Sequence, residues 1–137
     1  MVSRRVLVVH DDADARRIYR AALEHAGFEV IEALDAAAIF AAAESTPSVI
    51  VSDLYVRAVV DESVVARMRR DPRLTTTPVL VLSAWTSSPD RELALRLGVE
   101  SFLNLPVSPA RLIAEILRVI GDGGERRLQD DSPKLEA

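Results

Sequence analysis

The chain has no cysteine, a single lysine and, over its 137 residues, no long apolar run. Each shortage removes a class of answers. Without thiols there is neither a disulfide framework nor a thiolate metal site, which fits a reducing compartment. Of the 17 basic residues only Lys134 is a lysine, so every fixed positive side chain before it is an arginine. No segment approaches the ~20 apolar residues of a membrane span. The opening MVSRRV leads only into a short strand-like run, so neither a signal peptide nor an anchor is expected, and the cytoplasm is the expected location. The formal net charge of -4 offers no overall attraction to nucleic acid or anionic lipid, and no nucleic-acid-binding module is recognisable. What is present is one domain's worth of chain, 49% hydrophobic, enough for a single compact core.

Short runs of valine, leucine and isoleucine alternate with segments of helical period. Arg4 to His10 (RRVLVVH) is short, β-branched and continuously apolar, which predicts a strand covered on both faces. Ala13 to Ala26 is expected as a helix with Ile18, Ala22 and Ala26 on its apolar side, ended by Gly27 in a left-handed conformation. Phe28 to Glu32 reads as a second strand. Asp35 then caps an alanine-rich helix through Glu44, which Pro47 stops. Ser48 to Asp53 (SVIVSD) reads as a third strand, Asp61 to Asp71 as a helix stopped by Pro72, and Pro78 to Ala84 (PVLVLSA) as a fourth strand. Ser88 before Pro89 and Ser108 before Pro109 each supply an N-cap with proline at the first helical position. Between those two helices Gly98 ends one, and Glu100 to Asn104 forms a fifth strand. The expected fold is α/β: a single doubly wound, five-stranded parallel sheet with helices on both faces. Residues 1–121 would form the domain, and the glycine-rich, charged residues 122–137 a flexible tail or the start of a linker.

In such sheets ligands bind beyond the carboxyl ends of the strands. Those ends carry Asp11 and Asp12 after strand one, Asp53 after strand three, Ser83 after strand four, and Leu105 with Pro106 after strand five. Adjacent carboxylates repel one another and resist desolvation, so their presence needs a cation, a helix to cap, or open solvent. Three carboxylates from separate parts of the chain, converging on one sheet edge, suit a hard divalent ion such as Mg²⁺.

In these features the chain resembles the receiver domain of bacterial two-component response regulators, the flavodoxin-like, CheY-like type, over about Arg4 to Ile120. The matching pieces are HDD ending at Asp12, SD at Asp53, SA at Ser83 and Ala84, and LRLGVESFLNLPVSPARL from Leu95 to Leu112. The resemblance implies that Asp53 is the phosphoryl acceptor in a phosphorelay. It also implies that Asp12, Asp53 and the backbone carbonyl of Tyr55 hold Mg²⁺ while Asp11 acts through coordinated water. Ser83 would be the hydroxyl that moves to a phosphoryl oxygen, and Phe102 the aromatic that swings inward after it. A histidine kinase or phosphotransfer protein would be the donor. The change would pass to a downstream protein, or to a second copy in a homodimer, through helix four, strand five and helix five. Such a phosphoprotein signals and is not an enzyme.

Two departures matter. Receivers normally carry a lysine where this sequence has Leu105, and within the fold no other lysine is at hand. Losing that cation should slow phosphoryl transfer or uncouple it from the switch. Arg57, four residues after Asp53 in a loop DLYVRAVVDE that lacks the usual proline and glycine, is a candidate to reach back toward it. One alternative is a pseudo-receiver that binds partners without phosphorylation. A more distant one is a haloacid-dehalogenase-like phosphatase, with DAD at Asp12 to Asp14 as its acidic motif, though the late basic residue of such enzymes is missing. His10 is expected to be structural, and Arg67, Arg69 and Arg70 a solvated basic face. Trp85 with Val59 and Val60 would either form a docking patch or pack against helix four.

Overall fold

The computed structural model describes residues 4–84, 87–121 and 129–130. Six strands form one all-parallel sheet: β1 (Arg5–Val9), β2 (Glu29–Glu32), β3 (Val49–Ser52), β4 (Val79–Ser83), β5 (Ser101–Asn104) and β6 (Gln129–Asp130). Their spatial order is β2-β1-β3-β4-β5-β6. Five helices cross between them: α1 (Ala13–His25), α2 (Ala36–Ala43), α3 (Val64–Arg69), α4 (Ser88–Arg96) and α5 (Pro109–Gly121). The five expected strands are all present. The two-residue β6, beside β5 with Ser101 opposite Gln129 and Phe102 opposite Asp130, is an addition within the expected tail. Among the described residues no helix is long and apolar enough to cross a membrane.

Strand side chains alternate between two cores. Val6, Val8, Val49, Val51, Leu80, Leu82 and Leu103 face α1 and α5. Leu7, Val9, Ile50, Val79, Val81 and Phe102 face α2, α3 and α4. A sheet buried on both sides explains why its strands read as unbroken apolar runs.

Several local expectations shift. On α1 the buried residues are Tyr19 and Leu23, not Ile18, which is 54% exposed. The larger pair takes the inner face, and the Tyr19 hydroxyl donates to the Val107 carbonyl at 2.6 Å, tying α1 to the loop before α5. Helix α3 begins at Val64 rather than Asp61, because Ser63 caps it: the Ser63 oxygen accepts the Val65 N–H and its hydroxyl donates to the Leu54 carbonyl at 2.6 Å. The cap of α4 is Ser87, whose hydroxyl accepts the Asp90 N–H, so the expected Ser88 cap lies one residue late. Gly27 and Gly98 have φ of +98° and +69°, and each terminates a helix as expected: the N–H of the following residue, Phe28 or Val99, closes on the carbonyl of Leu23 or Ala94.

Candidate functional site

The register of the sheet builds the site. In the β1–β3 pair Val9 lies beside Ser52, so the next residues, His10 and Asp53, emerge together at the carboxyl edge. In the β4–β5 pair Ser83 lies beside Asn104. Because β2 and β3 flank β1 on opposite sides, the crevice of this topology opens at the end of β1.

Asp53 lies at its floor, its side chain 26% exposed. The Leu54 N–H donates to Oδ1 at 2.7 Å. Burial raises the Asp53 carboxyl above the ordinary aspartate range; the Leu54 N–H, the nearby His10 and a hydrogen bond from the Ser83 hydroxyl offset part of this, while Asp11 adds to it. Asp11 comes from the turn after β1 and faces the β3–α3 loop. Its Oδ2 accepts the backbone N–H of Arg57 at 2.8 Å, and the Arg57 Nε stands 3.7 Å from the same oxygen. Arg16 fixes that turn by donating to the His10 and Asp11 carbonyls at 2.6 and 3.0 Å. Beside Asp11 lies an open pocket of about 330 Å³ lined by Asp11, Tyr55, Val56, Arg57, Val59 and Val60.

Asp12 does not join them. Its Oδ1 accepts the N–H groups of Asp14 and Ala15 at 2.9 and 3.1 Å, capping α1, and the Ala15 bond above all holds its carboxyl below the ordinary range. The expected convergence of three carboxylates is thus a convergence of two, Asp11 and Asp53. Among the described residues no group of three or more histidine, aspartate or glutamate side chains is disposed to hold a metal. A pair still fits Mg²⁺, which takes one or two carboxylates and fills its shell with water and phosphate oxygens.

His10 packs as a buried residue, as expected, and also borders Asp53. The Asp12 N–H donates to its Nδ1 at 3.2 Å, and its Nε2 lies 3.2 Å from the Leu82 carbonyl and 3.6 Å from Asp53 Oδ2. The signal was the parallel register of VLVVH against SVIVSD. Phe102 is 1% exposed and packed among Val81, Ala94 and Val99 on the inner face. Leu105 leaves the sheet through a cis peptide bond to Pro106 and packs, partly buried, against the α1/α5 core.

Two surface expectations change. Val59 is buried in the core while Val60 is 82% exposed, and both border the pocket beside Asp11; Trp85 lies outside the described residues. Arg67 and Arg70 pair with Glu62 at the surface. Arg69 instead turns inward, its side chain 14% exposed, and donates to the carbonyls of Leu74, Thr75, Thr77, Leu97 and Gly98.

Known proteins share this architecture. The transcriptional regulatory protein PrrA of Mycobacterium tuberculosis is 38% identical over 117 residues, 85% of this chain and 49% of the relative, so the chain spans about half that protein's length. The chemotaxis response regulator CheY4 of Vibrio cholerae superposes with a TM-score of 0.76 at 28% identity, covering 86% of this chain and 99% of that one. The receiver domain of the sensor histidine kinase PA1611 from Pseudomonas aeruginosa, described with a magnesium ion coordinated in its active-site cleft, superposes with a TM-score of 0.74 at 24% identity over 88% of this chain and 99% of that one. The family model of the response regulator receiver domain matches residues 6–117, nearly all of the sheet and its helices, and the chain belongs to that family, a CheY-like receiver of two-component signalling.

Proposed function

We propose that this receiver accepts a phosphoryl group on Asp53 from a histidine kinase or phosphotransfer protein and signals by contact with a downstream protein. The observation that carries the reading is Asp53 itself: a half-buried carboxylate at the end of β3, raised by burial, with Ser83 donating to it and Asp11 beside it. In this reading Asp11, Asp53 and the Tyr55 backbone carbonyl hold Mg²⁺, and Asp12 serves the helix. When bound, Mg²⁺ neutralises phosphoryl charge. The raised basicity of Asp53 favours attack, and the Ser83 hydroxyl is close enough to exchange the carboxylate for a phosphoryl oxygen. The sheet with its five helices, β6 included, forms the signalling module, and the setting is the cytoplasm. The exposed Leu95 on α4 and Leu117 on α5 suit an output surface formed with β5.

A second reading, a binding module indifferent to phosphorylation, is favoured by Phe102. The aromatic expected to move inward on activation is already inside, and the uncharged Leu105 offers no cation to couple it to Asp53. Incubation with Mg²⁺ and acetyl phosphate, followed by intact mass, separates the two. Gain of one phosphoryl group in the wild type but not in Asp53→Asn supports the acceptor reading. No adduct, and no spectral response to beryllofluoride, leaves the binding module.

A further inference from the structure

We propose that Arg57 meets the phosphoryl group in place of the charge missing at Leu105: it pairs with Asp11 while Asp53 is unmodified and turns to the phosphoryl oxygens once Asp53 carries them. This rests on the reading of Asp53 as acceptor.

Three observations converge on it. The Arg57 backbone N–H is fixed to Asp11 Oδ2 at 2.8 Å, so the loop after β3 holds the Arg57 main chain beside the acidic site. The guanidinium is held by one 3.7 Å contact and the side chain is 89% exposed; an exposed pair of that length binds weakly, so changing partner costs little. Beside it lies the open pocket lined by Asp11, Tyr55, Val56 and Arg57, which gives the Arg57 side chain room to turn. Strand five, by contrast, ends in a partly buried aliphatic side chain packed on the core.

With acetyl phosphate as donor, a carboxylate oxygen of Asp53 attacks phosphorus and the bond from phosphorus to the acetyl oxygen breaks. Acetate leaves with that electron pair, and Asp53 becomes a dianionic acyl phosphate. The new charge is larger and more diffuse than that of Asp11, and the planar guanidinium can grip two of its oxygens at once. Arg57 therefore has a stronger partner after transfer than before it.

The test uses the full chain with Mg²⁺ and acetyl phosphate, following Asp53 labelling by intact mass over time in wild type, Arg57→Ala, Arg57→Lys and the double variant Arg57→Ala/Leu105→Lys. Mg²⁺ alone is titrated into each by calorimetry. We expect Arg57→Ala to label about tenfold more slowly, below the ~10²–10³ of a fully buried donor, with Arg57→Lys intermediate and Leu105→Lys restoring the rate. Mg²⁺ should bind Arg57→Ala as well as or better than wild type, because a competitor for Asp11 is gone. Equal labelling of wild type and Arg57→Ala would overturn the proposal and leave the acceptor reading intact. So would a loss of Mg²⁺ affinity matching the loss of rate, since Arg57 would then only prop Asp11. A wild type that never labels would defeat the acceptor reading and this inference together.

Discussion

Asp12 Oδ1 accepts the Ala15 N–H at 3.1 Å, so one of two adjacent carboxylates belongs to a helix while its neighbour Asp11 belongs to the site. Asp12→Ala should therefore lower stability through loss of the helix cap yet leave the Mg²⁺ response in place. Asp11→Asn should do the reverse. Thermal melts paired with Mg²⁺ titrations check this, and a lost metal response in Asp12→Ala would restore Asp12 as a ligand.

Asp53 pays for its position in stability. A carboxyl raised by burial is costly when ionised, so stability falls as pH rises from about 3.9, the ordinary aspartate value, through the higher value in the fold. Asp53→Asn keeps an acceptor for the Leu54 N–H and removes the charge. Its melting temperature should exceed the wild type's at pH 7. That gap should close as the pH is lowered toward 4, and a gap independent of pH would exclude the charge as its cause.

The Arg69 fork ties the end of α3 to the Leu74–Thr77 turn and to the Leu97–Gly98 end of α4. Arg69→Ala frees these carbonyls together and should cost ~3 kcal/mol or more, a drop on the order of 10 °C in melting temperature. Lysine, with one point charge, should recover little of it. Chemical denaturation of the three proteins gives the comparison.

Glu115 on α5 is buried against β5, where Ser101 donates to it and the Arg118 Nε reaches Oε1 at 2.9 Å. Burial pushes its carboxyl up, but the bonds from Arg118 and Ser101 outweigh that and leave it below the ordinary range. Its contribution is therefore complete above the ordinary glutamate value of about 4.3 and is lost as pH falls through the lower value in the fold. Glu115→Gln should cost ~1–3 kcal/mol at neutral pH, with the difference from wild type shrinking only below about pH 4. Melts across that range decide it.

The strands, the helix-ending glycines and the doubly wound class were legible because a sheet covered on both faces demands unbroken apolar runs, and left-handed caps demand glycine. Asp53 and Ser83 were legible for a related reason: a parallel sheet delivers its strand ends to one edge. The inner face of α1 was not, since Ile18 and Tyr19 differ by one residue and only packing against α5 and Val107 selects between them. Nor could the sequence separate Asp11 from Asp12, whose types are identical and whose partners, the Arg57 and Ala15 N–H groups, are set by where the loop after β3 and the first turn of α1 come to rest. Composition and periodicity by themselves determined the fold and the edge at which chemistry gathers, because both follow from which side chains must leave water. Tertiary structure alone decided which carboxylate faces the loop after β3, that Arg57 stands beside it, that His10 borders Asp53 and that Arg69 turns inward, because direction is a property of backbone geometry that residue type does not carry.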